Sequence, residues 1–343
     1  MSVHKAFVGT YTRRDAEGIY AATFDDETGA FELGHLAAAL PNPSYLAQAG
    51  NHVYAVLEDE QGEVAALRRD GNTLTLLNRK PSMGSHPCHI SVVADRVAVA
   101  NYSSGSVTLL TRSADGALGD ICSVEQHAGH GPNARRQSGP HAHMVYPDPW
   151  AKRLFVPDLG CDRLYRYGIE RGVLQLEGFT GLPAGAGPRH VVAHPMLRGT
   201  YYVINELDNT IVRVAPGNDG RFAVESSVAT LPDDAAVASA TAALRIHPNG
   251  HRLYATNRGA DSIVAVTLDR DGAFGSRTFV PTLGEHPRDL TLDPSASWLL
   301  AANQDSDTVT VYALEDGLPV NASAKTTRVP TPVCILFTHE AHS

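Results

Sequence analysis

The stretches "NYSSGSV" (101–107), "NELDNTI" (205–211), "NRGADSI" (257–263) and "NQDSDTV" (303–309) can be set one under another. Each follows a short apolar run and precedes a second one, which is the pattern of a strand, a tight polar turn and a returning strand. Asn, Asp and Gly recur there because they tolerate the backbone of such turns. "DLGCDRL" (158–164) fits the same frame, and "LEDEQGEV" (57–64) and "TYTRRDAEGI" (10–19) fit it with added residues, so seven turns are present.

A second landmark lies upstream of each turn, where a proline opens an apolar, period-two segment: "NPSYLA" (42–47), "HPCHISV" (86–92), "GPHAHMV" (139–145), "GPRHVVAHP" (187–195) and "HPRDLTLDP" (286–294). "TAALRIHP" (241–248) keeps the register without the first proline. The positions Pro43, Pro87, Pro140, Pro188, Thr241 and Pro287 recur about every 50 residues, the range of propeller-blade repeats. Each unit reads as four antiparallel strands, A from the proline, B into the turn, C out of it and a short D such as "GALGDI" (116–121). At the ends, "HKAFVGTY" (4–11) and "GIYAATF" (18–24) read as B and C with no A before them, and "TPVCILF" (331–337) as an A with no B after it. The fold expected is therefore all-β, a seven-bladed β-propeller occupying 1–343 as one domain, with one blade closed by N-terminal strands plus the C-terminal strand. Closure into a ring removes the open edges that an all-β chain must otherwise protect.

Composition narrows the function classes. With 343 residues, 43% hydrophobic and 19% charged, the chain can fill a full core, and a net charge of −9 with no Lys/Arg run argues against nucleic-acid binding. No stretch approaches the roughly 20 apolar residues that span a bilayer, and the N-terminus lacks a signal-peptide core, so a cytoplasmic protein without membrane partners is expected. Cys88, Cys122, Cys161 and Cys334 stand singly, which suits buried thiols in a reducing compartment. "HAGH" (127–130) and "HAH" (141–143) have no acidic partners or ordered spacing, so no metal site is expected. No Walker loop, dinucleotide fingerprint or nucleophile elbow occurs, and no cofactor is called for. A monomer or weak homo-oligomer is expected.

In a propeller, A is the innermost strand, and the start of A and the end of B lie at one end of the blade. The residue after the A-strand proline, read around the ring, is Ser44, Cys88, His141, Arg189, Ala242, Arg288 and Val333. The turn residue after Asn or its equivalent is Tyr11, Glu58, Tyr102, Leu159, Glu206, Arg258 and Gln304. A constant framework with varied residues at one mouth is how a site is grafted on a symmetric scaffold. His141, Arg189, Glu206 and Arg258 fall in consecutive blades with Arg288 one further on, and guanidinium groups match small anions. His143 shares a face with His141 but lies deeper, and Tyr102 and Gln304 occupy flanking turns. The loop "HAGHGPNARRQSG" (127–139) offers Arg135, Arg136 and Gln137 as a lip over the mouth. His89 and His190 are expected to point away from the channel and to serve structure.

"VGTYT" (8–12), "PSYLA" (43–47), "VANYSSGSV" (99–107), "RQSGPHAHMVYPD" (136–148), "GAGPRHVVAHP" (185–195), "YVINELDNTI" (202–211) and "YATNRGADSIVAV" (254–266) together resemble the seven-bladed propeller lactonase family. That family includes propeller-type 6-phosphogluconolactonases and 3-carboxy-cis,cis-muconate lactonizing enzymes. The resemblance implies an active site of one His, two Arg and one Glu. By motif these fall on His141, with His143 as the other candidate, on Arg189 and Arg258, and on Glu206. It further implies hydrolysis of a sugar lactone, 6-phosphogluconolactone or a related aldonolactone, by His/Glu acid-base chemistry, with arginines, Arg288 among them, holding the anionic substrate. Carboxymuconate cycloisomerisation is the alternative enzyme, and a non-catalytic interaction propeller the alternative of another class.

Overall fold

The computed structural model describes residues 2–217 and 219–339; Met1, Asn218 and residues 340–343 of the expected 1–343 domain lie outside the described residues. Seven antiparallel sheets form the blades of a propeller. Blade 1 pairs Pro332–Phe337 with Val3–Thr10, followed by Gly18–Asp25 and Ala30–Ala39, so both ends of the chain share one sheet. Blades 2 to 7 start at Tyr45, Pro87, Tyr146, Pro188, Ala240 and Pro287. In blade 7 the outer edge is made of two pieces, Leu318–Pro319 and Lys325–Arg328, separated by the 3-10 turn Asn321–Ser323.

Seven buried clusters lie between successive blades. Alternation along a strand explains how one strand serves two of them. In Tyr201–Asn205, Tyr202 and Ile204 pack toward blade 6, whereas Tyr201 and Val203 pack toward blade 4. Middle strands therefore bury apolar residues on both faces, and the period-two signal fades in them. The outermost strand is short, as expected from sequence, only in blade 7; in the other blades it is longer, with ten residues in Ala30–Ala39 and nine in Leu118–Gln126. Their faces are largely exposed, so few apolar residues mark them.

The turn residues have specific duties. The fifth residue of each seven-residue frame, Gly105, Asp162, Asn209, Asp261 and Asp307, has φ between 46° and 62°, the left-handed region that Gly, Asn and Asp enter most readily. The leading Asn ties the turn to the connection arriving from the previous blade. Asn303 Nδ2 donates to Thr282 O, Thr308 Oγ1 and Thr310 Oγ1 at 3.2, 3.2 and 3.1 Å, and Asn101 does the same with Ser82 O, Ser106 Oγ and Thr108 Oγ1. Replacing Asn303 by Ala leaves buried acceptors without a donor, so we expect a loss of about 1–3 kcal/mol. The urea midpoint of unfolding should fall while the slope stays constant; an unmoved midpoint would contradict this role.

In five blades the start of the inner strand carries a β-bulge. Pairing slips between Pro87 and His89, Pro188 and His190, Thr241 and Leu244, and Pro287 and Asp289, and blade 1 slips likewise. Blade 6 keeps this register although Thr241 stands in the proline's place. A bulge re-aims the extra residue, and its two members lie on the same side of the strand. That corrects the expectation for His89 and His190, which the bulge turns inward. The His89 ring lies 4.0 Å from that of Tyr45 and 5.9 Å from that of His190, and His190 Nε2 is 3.1 Å from Arg189 Nη1.

Blade 4 departs from the expected register by two residues. Ala142, not Pro140, bridges Asp158, the counterpart of the turn Asn, and regular pairing resumes only at Tyr146–Pro147. The cause is Asp158: its Oδ1 accepts from the backbone N–H of His141 at 2.8 Å and from those of Gly160 and Cys161. Its Oδ2 is 2.6 Å from His127 Nδ1. This carboxylate holds "GPH" outside the sheet and delays the strand, so His143 takes the position that Arg189 and Arg288 take in their blades.

Candidate functional site

The ring gathers an inner-strand-start or B–C turn residue from every blade around one cavity. Its volume is about 210 Å³, and its walls are Tyr11, Glu58, Cys88, Tyr102, Arg136, His143, Glu206, Arg258 and Arg288. Glu206, 2% exposed, sits at the centre of one side. Its Oε2 lies 2.7 Å from Arg258 Nη2, 3.2 Å from Arg189 Nε and 4.0 Å from His143 Nε2, and its Oε1 accepts from Arg136 Nη2 at 2.6 Å. Burial alone would raise this carboxyl, but Arg258, Arg189, His143 and Arg136 outweigh it and hold Glu206 far below the ordinary carboxylate range.

The guanidinium groups are themselves anchored. Arg258 Nη2 donates to Thr241 O at 2.8 Å, and Arg189 Nη1 to Ala242 O at 2.6 Å, both on the blade 6 inner strand. Arg189, under Glu206 and almost fully buried, does not line the cavity; burial and the positive charges of Arg258 and Arg288 lower its pKa to about 10. Arg136 reaches in from the lip and also donates to the Tyr102 hydroxyl at 3.2 Å.

His143 is buried, with Nε2 toward Glu206 and the cavity. Burial first, then Arg189, pushes its pKa well below 6.5, against an opposing pull from Glu206. The imidazole is therefore neutral near pH 7. His141 lies elsewhere: it stacks on Tyr102 with ring centroids 4.5 Å apart, its Nδ1 is 2.9 Å from Tyr102 O, and it does not line the cavity. Of the other expected residues, Tyr102, Arg136 and Arg288 line the cavity, whereas Gln304 does not. Its Nε2 is instead donated to Asp305 Oδ1 at 2.8 Å. In the lip, Gln137 is buried against Leu159 O and Asp162 Oδ1, and Arg135 is exposed.

Tyr11, Glu58 and Cys88 complete the wall and were not among the residues singled out from sequence. The signal was available, because all three stand at the ring positions read above. They fall outside the run of consecutive blades that holds His141, Arg189, Glu206 and Arg258, yet across a narrow channel blades remote in sequence share one cavity. Four guanidinium groups meet two carboxylates and one neutral imidazole here, an excess of two positive charges. Such a centre binds a small anion and can stabilise negative charge developing on an oxygen. Among the described residues no cluster of three or more His, Cys, Asp or Glu side chains is placed to hold a metal ion, and no helix is long and apolar enough to cross a membrane.

Comparison with known proteins matches residues 5–337 to the family described as "Lactonase, 7-bladed beta-propeller". The chain is 35% identical to the 6-phosphogluconolactonase of Bacillus subtilis, over 99% of this chain and 100% of that one. Among solved structures, it superposes on a protein from Lactobacillus plantarum with a TM-score of 0.93 at 32% identity, covering 98% of this chain and 100% of that one. It superposes on the periplasmic gluconolactonase of Pseudomonas aeruginosa with a TM-score of 0.88 at 27% identity, covering 98% and 99%.

Proposed function

From the premise that this chain belongs to the seven-bladed β-propeller lactonase family, we propose that it hydrolyses a sugar lactone, 6-phosphogluconolactone or a related aldonolactone, at this channel mouth. The observation that carries the reading is the neutral His143 Nε2 facing a cavity whose wall holds an excess of guanidinium groups. Water attacks the lactone carbonyl while His143 Nε2 takes its proton. The charge gathering on the carbonyl oxygen is met by Arg258 and Arg136. When the ring C–O bond breaks, the imidazolium returns the proton to the departing ring oxygen, and the open hydroxy acid leaves. Glu206 remains ionised throughout, stabilises the transient imidazolium and fixes the guanidinium groups. Four free cysteines support a cytoplasmic setting.

The test is hydrolysis of 6-phosphogluconolactone and glucono-δ-lactone by purified protein, corrected for the spontaneous reaction, with a carboxymuconate lactone as comparison. Acceleration of neither sugar lactone sinks the reading. The pH profile is a second check. Because His143 is held well below 6.5, kcat/KM should vary less than about twofold between pH 6.5 and 8 and decline on an acid limb below that range. An acid limb centred at or above 6.5 would assign the base to another group.

A further inference from the structure

One side of the cavity takes no part in the chemistry above, yet it is built as carefully. Glu58 Oε2 is saturated: the Tyr11 hydroxyl donates to it at 2.9 Å and Ser44 Oγ at 2.5 Å. Glu58 Oε1 accepts no hydrogen bond from any described residue, and Arg288 Nη2 stands 3.7 Å from it, beyond hydrogen-bond reach. The Arg288 guanidinium lies over the Tyr11 ring, 5.0 Å from its centroid, and its side chain donates no hydrogen bond to any described residue. Both side chains line the cavity and are mostly buried, at 14% and 17% exposure. An open acceptor and an open donor thus stand side by side, facing the space opposite Glu206.

The group that satisfies both is a hydroxyl, whose oxygen accepts from Arg288 and whose proton goes to Glu58. A phosphate or carboxylate would satisfy Arg288 but meet repulsion from Glu58, and an alkyl group would leave both without partners in a sheltered place. We infer that Glu58 and Arg288 form a hydroxyl-recognition subsite that makes this pocket select polyhydroxylated lactones over polycarboxylate and unsubstituted ones. The inference rests on the lactonase reading, with the anionic or oxyanion-bearing end of the substrate at Arg136 and Arg258.

Glu58→Gln tests it with little disturbance. The amide keeps an oxygen for Tyr11 and Ser44 and puts an NH2 group, which only donates, where the open oxygen stood. The readout is the ratio of kcat/KM for glucono-δ-lactone to that for δ-valerolactone, which has the ring and no hydroxyl. The variant should lower this ratio about 10–100-fold. A ratio equal to that of the wild type, whether both activities fall together or neither does, overturns the inference. Calorimetry with the ring-opened products, gluconate and 5-hydroxypentanoate, reads the same subsite without turnover. If the wild type hydrolyses neither of these lactones nor 6-phosphogluconolactone, the lactonase reading fails; in that case, or where only the phosphorylated lactone turns over, the gluconate preference decides the subsite: lost in Glu58→Gln it stands, absent from the wild type or retained in the variant it falls.

Discussion

Replacing His143 by alanine is expected to lower kcat/KM for the lactone by about 10²–10⁴-fold, the usual worth of a positioned acid-base group. His141→Ala should cost less than about tenfold. The two residues are separated by a single alanine, so their contrast isolates position from chemistry. His143 Nε2 faces Glu206 and the cavity, whereas the His141 ring is spent on Tyr102, stacked on its ring and directed at its carbonyl oxygen. His141→Ala removes a support for Tyr102 and through it for Arg136, hence a modest loss expressed mainly in KM. Thermal unfolding of both variants separates lost chemistry from lost folding. If His141→Ala abolishes turnover and His143→Ala spares it, the proton carrier has been placed two residues too deep.

This contrast also marks the limit of what could be read from the chain alone. Local rules specify the scaffold, and they act within a few residues. The left-handed fifth position of each turn needs Gly, Asn or Asp, and the leading Asn must reach the incoming connection, so both recur visibly. Blade 1 was legible for the same reason, since its strands are ordinary ones displaced to opposite ends of the chain. The placement of histidine was not, because it depends on Asp158, seventeen residues beyond His141, capturing a backbone N–H and delaying the inner strand. His89 and His190 were misdirected by the bulge, which breaks the alternation that any strand-based reading assumes. Tyr11, Glu58 and Cys88 meet His143 and Glu206 only because the ring closes.

The same closure makes Glu206 the residue on which the centre depends most. Glu206→Gln is expected to destabilise the fold by about 3–5 kcal/mol, the cost of leaving buried charges without their partner. The loss falls on Arg189 and Arg258, 3% and 10% exposed; Arg136 is 41% exposed, and its contact adds little. Without the carboxylate, Arg189 remains buried beside the positive charges of Arg258 and Arg288, and burial together with those charges already lowers its pKa. The guanidinium groups should separate, so kcat/KM should fall by about 10²–10³-fold through lost preorganisation. The pH dependence identifies the cause. A carboxyl held far below its ordinary value of 4.5 contributes its full stability above that pH, where the unfolded chain is also ionised. As pH falls below 4.5 the unfolded chain binds a proton that the folded one refuses, so the advantage of wild type over Glu206→Gln should shrink by about 1.4 kcal/mol per pH unit. Urea titrations of both proteins at pH 7, 5, 4 and 3 measure that difference directly. A gap that stays constant down to pH 3 would mean that the variant fails through packing, and that Glu206 is not the charge holding the arginines together.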